Sequence, residues 1–137
     1  MAAATRRPRR LAVAWLAIVL LASVVDPSGV LPAQGANGSA GGGLAIGLDT
    51  WLHLGAYSVL AWLLAAAFDA SGPRRGAALL AVVVAFAVGV GVEIIQAPIA
   101  ARTASIADAV ANAVGAVVGV AARTAWERVV GASPSEG

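Results

Sequence analysis

The chain is predicted to be an all-α integral membrane protein, a four-helix bundle with its N- and C-termini in the cytoplasm. Of its 137 residues, 60% are hydrophobic and 12% are charged, whereas soluble domains average about 45–50% and about 25%. Four apolar runs are separated by polar segments, and no run shows the period-two alternation of a membrane barrel. We therefore expect a multi-pass protein of the cell membrane.

Composition also excludes several kinds of chemistry. The chain has no cysteine and a single histidine, His53, which excludes disulfides, thiol catalysis and a multi-histidine metal centre. We expect no metal and no cofactor. No phosphate-binding glycine loop, GxSxG elbow or HExxH motif occurs. The N-terminal arginines adjoin an apolar run and mark the cytoplasmic end of a span, so we expect no nucleic-acid partner.

The first apolar run covers residues 11–25 and follows a basic cytoplasmic arm at 1–10. It is shorter than the roughly 20 residues of a usual spanning helix, but arginine side chains can reach the interface and lengthen it. We expect this span to be retained. The alternative is a cleaved signal peptide, with a basic region, an apolar region and a cleavage site after residues 21–23.

Three further apolar runs each suit a membrane-spanning helix. They cover about residues 48–68, 77–96 and 106–122. The Gly- and Ser-rich segment 26–47 is predicted to be a flexible loop between the first two spans. The membrane domain is thus predicted at 11–122, with a cytoplasmic tail at 123–137.

The arginines predict the orientation of the spans. With the N-terminus inside, eight of the nine arginines lie in cytoplasmic segments, and only Arg102 lies in an outside loop. The opposite orientation reverses this count, so the positive-inside rule favours the first. The start of the second and fourth spans and the end of the third then share the outer membrane face.

Polar residues from three spans fall in this outer layer. Ionisable groups within the hydrocarbon region cost about 2.5–3.5 kcal/mol each on insertion scales, and they usually mark a site. The residues are Asp49, His53, Tyr57, Glu93, Gln96, Arg102, Asp108 and Asn112. We expect them to form one coupled polar network.

Asp49, His53 and Tyr57 are spaced i, i+4, i+8 and should share one helix face. A carboxylate one turn from an imidazole can fix its tautomer and support general acid–base chemistry. The alternative is a polar seam that sets the register between helices, with Asp49 as a helix N-cap.

Glu93 lies in an apolar run and must be paired or neutral there. Arg102 is the nearest cation in sequence, so a Glu93–Arg102 ion pair is the simplest structural explanation. In the functional alternative, the Arg102 guanidinium holds a phosphate or a carboxylate.

Asp108 and Asn112 are spaced i, i+4, and Gly115 and Gly119 continue near that face. Ser105 as N-cap with Asp108 three residues on resembles a capping box, which accounts for Asp108 but not for Asn112. The two glycines let a neighbouring helix approach closely. That neighbour is a helix of the same chain or, in a homo-oligomer, a second copy.

In this order the polar residues resemble those of the VanZ-like membrane proteins. The matching segments are Asp49-x-x-x-His53-x-x-x-Tyr57, Glu93-x-x-Gln96, and Arg102 followed by Asp108-x-x-x-Asn112-x-x-Gly115-x-x-x-Gly119. The resemblance covers roughly residues 11–122, and Thr50 stands where the family often has lysine. The family is named for a protein of low-level teicoplanin resistance. The resemblance therefore implies a topology, a set of residues and an envelope setting, but no reaction.

The leading hypothesis is a protein that binds or modulates an envelope component, a lipid-linked or anionic head group, at the outer face. The expected ligand-binding residues are Arg102, Gln96, Asn112 and Tyr57. The expected partner is a membrane lipid or another envelope component.

Two alternatives stay open. In the first, the protein is a membrane enzyme acting on a lipid head group. His53 is then the general base oriented by Asp49, and Glu93 or Asp108 is the second acid or base. In the second, the helices form a structural module without a ligand, and the polar groups satisfy one another.

Overall fold

The computed structural model describes residues 2–24, 48–69, 74–96 and 106–131, and these residues form four helices. The helices are α1 (Ala2–Val24), α2 (Leu48–Asp69), α3 (Arg74–Gln96) and α4 (Ile106–Gly131). The predicted all-α class is confirmed. By length and composition, α2, α3 and α4 are suited to cross a membrane.

Two helices extend beyond the apolar runs that predicted them. α1 begins at Ala2, so the basic arm continues the helix. α4 ends at Gly131, well past residue 122. Arg123 pairs with Glu127 one turn further on and with Asp69 of α2. Such pairs stabilise a helix in a stretch where the apolar pattern has ended.

α2 lies at the centre of the bundle and contacts each of the other three helices. Its most extensive partner is α4, which runs parallel to it. Gly115 lies against the backbone carbonyl of Leu54, and Gly119 lies against that of Ser58. A Cβ atom on either glycine would clash with these carbonyl oxygens, so glycine is required for the close approach.

The glycines of α3 and α4 have different surroundings. Gly115 and Gly119 are covered by α2 of the same chain, and a homo-oligomer through them stays an untested prediction. On α3, by contrast, a Cβ on Gly91 would have no neighbour within 4 Å.

The interior is built from small side chains, and many large apolar ones face outward. Ala61, Ala85 and Ala116 are completely buried, whereas Leu79 and Ile94 are 67% and 68% exposed. Lipid is as apolar as a protein core, so association of membrane helices depends on close backbone approach rather than on burial of large side chains. The pattern is typical of helices packed within a bilayer.

α1 belongs to the same bundle. The Trp15 Nε1 donates a hydrogen bond of 2.9 Å to the carbonyl oxygen of Ala56 in α2. Val19 is part of the buried cluster that contains Tyr57 and Leu60. Cleavage after residues 21–23 would remove these contacts of Trp15 and Val19. That the first span is retained stays a prediction.

Candidate functional site

Polar residues of α2, α3 and α4 meet at one end of the bundle, which we call the polar end. It contains the start of α2 and α4 and the end of α3, which runs antiparallel to them. The described side chains there are Thr50, His53, Tyr57, Glu93, Asp108 and Asn112. The parallel packing of α2 on α4 places their first turns at the same level.

Two hydrogen bonds join α2 to α4 at the polar end. Thr50 Oγ1 donates to Asp108 Oδ1 at 3.2 Å, and His53 Nδ1 lies 3.0 Å from Asn112 Oδ1. An amide oxygen only accepts, so Nδ1 carries the proton. In a neutral imidazole, Nε2 is then the nitrogen with an available lone pair. Asn112 is the described residue that orients His53.

The aromatic rings of His53 and Tyr57 lie one turn apart and nearly parallel. Their centroids are 6.3 Å apart and their planes differ by 7°, which confirms that the two residues share a helix face. Tyr57 is only 1% exposed. Its hydroxyl has no hydrogen-bond partner within the helices that the structure describes.

Asn112 fits beneath Gly89 of α3. Its Nδ2 lies 2.8 Å from the point that a Cβ on Gly89 would occupy, so a larger residue at Gly89 would displace the amide. Asn112 is 1% exposed, and Nδ2 has no hydrogen-bond partner among the described residues. The role of Gly89 beside Asn112 could not be predicted from the sequence, because it depends on a side chain of another helix.

Glu93 and Asp108 bring two carboxylates close to His53. One potential ligating atom from each of the three residues lies within 4.8 Å of the other two. Two unit charges at that separation repel by roughly 3–4 kcal/mol at an effective dielectric constant of about 20. Glu93 Oε1 is buried without a partner, and neither carboxylate forms an ion pair within the described ranges. A cation held between the two carboxylates would remove this repulsion.

Other predicted site residues can be placed less fully. Arg102 lies outside the described residues. Asp49 and Gln96 belong to α2 and α3, but their side chains lie outside the described part of the structure. The Asp49–His53 and Glu93–Arg102 pairs therefore stay predictions. Sequence reasoning missed Thr50 as a site residue. The sequence showed only that Thr50 stands where the family often has lysine, whereas the structure shows its hydrogen bond to Asp108.

The opposite end of the α2–α4 pair, which we call the charged end, holds a different group of charges. Arg123 Nη2 lies 2.7 Å from Asp69 Oδ2, and Arg123 also pairs with Glu127. The Arg123 and Asp69 side chains are 18% and 21% exposed. Both carboxylates therefore have a cationic partner in a largely sheltered position.

The model of one protein family, VanZ/LLP1, matches residues 11–126. The chain belongs to the VanZ/LLP1 family. The resemblance seen in the order of the polar residues is thereby confirmed, and the matched range includes the whole polar end. No curated protein and no solved structure matches the chain. Membership of the family brings no ligand or reaction with it, so the function is argued from geometry.

Proposed function

We propose that this membrane protein binds an envelope component, a lipid-linked or anionic head group, at its polar end. Three buried polar atoms without hydrogen-bond partners in the described helices carry the proposal. They are Tyr57 Oη on α2, Glu93 Oε1 on α3 and Asn112 Nδ2 on α4. Buried polar groups are normally satisfied. A head group with both donors and acceptors would satisfy all three.

The polar end is open to such a ligand. His53 and Glu93 are only partly buried, so the cluster reaches the surface of the bundle. An apolar groove of about 470 Å³ lies between α1 and α3 and is lined in part by Leu21, Val92 and Ile95. Val92 precedes Glu93 in the chain and Ile95 lies two residues after it, so the groove and the polar end reach the same level. This supports an amphiphilic ligand whose apolar chain lies in the groove.

The arginine distribution supports an extracytoplasmic position for the polar end. The association of the family with teicoplanin resistance supports an envelope component as the ligand. Arg102, in the predicted outer loop, would supply the cation for an anionic group.

The orientation can be tested with single cysteines, because the chain has none of its own. The cysteines are placed at Ser39, Ser71, Thr103 and Ser135 and probed in intact cells with a membrane-impermeant thiol reagent. Labelling at positions 39 and 103 alone is expected. Labelling at position 71 or 135 would overturn the orientation.

Native mass spectrometry tests ligand binding. The wild-type protein, released gently from detergent, should carry the added mass of one lipid or lipid-linked precursor. Asn112→Leu, which removes the amide but keeps the branched shape of the side chain, should lose this mass. Asp69→Asn at the charged end is the matched control and should keep it. Retention by a folded Asn112→Leu variant, or equal loss from Asp69→Asn, would contradict binding at the polar end.

A membrane enzyme is the second candidate, and the His53–Asn112 hydrogen bond favours it. That bond holds the ring and leaves His53 Nε2 as an available base. Glu93 or Asp108, both close to His53, would be the second acid or base. Loss of head-group turnover in His53→Ala, with the bound lipid mass retained, would favour the enzyme. Ligand binding by the wild type without any turnover would favour the binding protein.

A further inference from the structure

We infer that His53, Glu93 and Asp108 together bind one divalent cation of the Zn²⁺ class. The three residues come from three different helices, so the site exists only in the folded bundle. This goes beyond the head-group proposal because the ion requires no lipid. The sequence argued against a metal because it contains one histidine, but the fold adds two carboxylates to that histidine.

The distances suit one ion. One ligand atom of each residue lies within 4.8 Å of the other two. A single point therefore exists that is no farther than about 2.8 Å from all three atoms, and Zn²⁺ binds nitrogen and oxygen at about 2.0–2.2 Å. On binding, the partly buried His53 and Glu93 side chains would move inward to complete the coordination. Three protein ligands leave a fourth position open, as in zinc sites that bind water or substrate.

The surroundings of His53 suit a metal ligand. A ligating histidine usually donates its other ring N–H to a carbonyl or a carboxylate, which fixes the tautomer. Here Nδ1 donates to Asn112 Oδ1 at 3.0 Å, so Nε2 is the ring nitrogen that would bind the ion. Asp108 is held in a similar way, because Thr50 donates to its Oδ1.

Charge provides a second, independent argument. Glu93 Oε1 is buried without a partner among the described residues, and the carboxyl groups of Glu93 and Asp108 lie close together. A divalent cation neutralises both carboxylates and accepts electron density from Oε1. The unpartnered donors Tyr57 Oη and Asn112 Nδ2 would bind a water molecule or an anion held in the open position.

The ligand set predicts the kind of ion. Imidazole suits Zn²⁺ and its first-row neighbours, whereas sites that use oxygen alone suit Mg²⁺ and Ca²⁺. Zn²⁺ and Co²⁺ should therefore bind, and excess Mg²⁺ or Ca²⁺ should not displace them.

The test uses the full-length protein in detergent, carrying a streptavidin-binding tag instead of a polyhistidine tag, since His53 is the only histidine. After EDTA treatment and reloading with ZnCl₂, elemental analysis should find one zinc per chain. His53→Gln, Glu93→Gln and Asp108→Asn should each weaken zinc binding by about tenfold or more. Asp69→Asn, a carboxylate change at the charged end, is the matched control and should bind zinc like the wild type.

Arg102→Gln separates the ion from the other explanation of the carboxylates. Zinc binding that survives this change supports the metal site. If the Arg102→Gln variant binds zinc and the wild type does not, then Arg102 is the counter-ion of the carboxylates in the native protein. That result would overturn the proposal.

Cobalt binding can be measured on the wild-type protein alone, so this test does not depend on whether a variant folds. Co²⁺ added to the stripped wild-type protein should produce visible ligand-field absorption that one equivalent of Zn²⁺ removes. A folded wild-type protein that shows no such absorption and takes up no zinc would overturn the proposal. Equal zinc binding by the wild type and by the three folded cluster variants would do the same.

Discussion

The two ends of the α2–α4 pair manage charge in opposite ways. At the charged end, Arg123 lies between Asp69 and Glu127, and each carboxylate has a cationic partner. At the polar end, Glu93 and Asp108 lie close together with His53, and neither has an ion-pair partner in the described helices. The carboxylates of the charged end, on α2 and α4, are therefore ion-paired, whereas those of the polar end, on α3 and α4, have no ion-pair partner among the described residues.

This difference separates a structural role from a functional one. Charges that serve only packing are expected to be satisfied within the protein, because an unpaired charge in a sheltered position is destabilising. Groups that await a ligand stay unsatisfied until it binds. By this criterion the charged end stabilises the bundle, and the polar end is the place to look for a ligand.

The largest expected effect is on the contact that aligns both ends. Gly119→Ala places a Cβ against the Ser58 carbonyl oxygen, and a backbone clash cannot be relieved by a rotamer change. We expect α2 and α4 to separate locally, with a loss of about 3 kcal/mol or more of stability.

Gly91→Ala is the matched control for this change. Its Cβ would meet nothing within 4 Å, and alanine favours a helix by about 0.5–1 kcal/mol over glycine. Thermal unfolding in detergent compares the two variants. A Gly119→Ala protein as stable as Gly91→Ala would show that the helices do not pack this closely.

Arg123→Gln tests whether the charged end is structural. It leaves Asp69 and Glu127 without their cation. Breaking a buried pair costs about 3–5 kcal/mol and an exposed one about 0–1, and these side chains are 18–29% exposed, so we expect roughly 1–3 kcal/mol. Adding Asp69→Asn should restore part of the stability. Strictly additive losses in this double-mutant cycle would mean that the pair contributes nothing.

Thr50→Val should have a smaller effect at the polar end. It removes the hydroxyl that donates to Asp108 while keeping the shape of the side chain. A single hydrogen bond contributes about 0.5–1.5 kcal/mol. Thr50→Ser keeps the hydroxyl and should behave like the wild type in the same unfolding measurement. If both variants lose equal stability, the methyl group matters and not the hydrogen bond.

Glu93→Gln should have the smallest effect in metal-free protein, and in the opposite direction. Removing one of two close carboxylates relieves repulsion, so stability should be unchanged or slightly higher, whereas Asp69→Asn should lower it. The measurement is a thermal unfolding cycle with Glu93→Gln, Arg102→Gln and the double variant in EDTA. Non-additive losses would show that Glu93 pairs with Arg102, and the polar end would then be ion-paired like the charged end.

The sequence predicted the helices and the level of the polar residues well. Apolar runs and the arginines that flank them predict where each helix lies. The thickness of the bilayer sets the length of every span, and the positive-inside rule sets the side on which its arginines lie. The shared face of His53 and Tyr57 also followed, since i, i+4 spacing within one helix needs no tertiary information. The extension of α4 to Gly131 was missed because apolarity alone says nothing about charge-paired turns.

The partners of the site residues could not be predicted in this way. Asn112 was grouped with Asp108 by spacing, but its hydrogen bond to His53 depends on the register between α2 and α4. That register is set by Gly115 and Gly119 against the α2 backbone. Sequence spacing gives the faces of single helices, and the meeting of faces from different helices depends on packing.

The parallel pairing of α2 with α4 has a consequence for biosynthesis. Thr50 and His53 on α2 are synthesised before their partners Asp108 and Asn112. At about 5–20 residues per second, the intervening chain takes on the order of a few seconds to emerge from the ribosome. During that interval α2 presents a hydroxyl and an imidazole without their eventual hydrogen-bond partners. Because α4 follows α2 and α3 in the chain, its insertion closes the polar end, and a chain interrupted before α4 would expose these unsatisfied groups to cellular quality control.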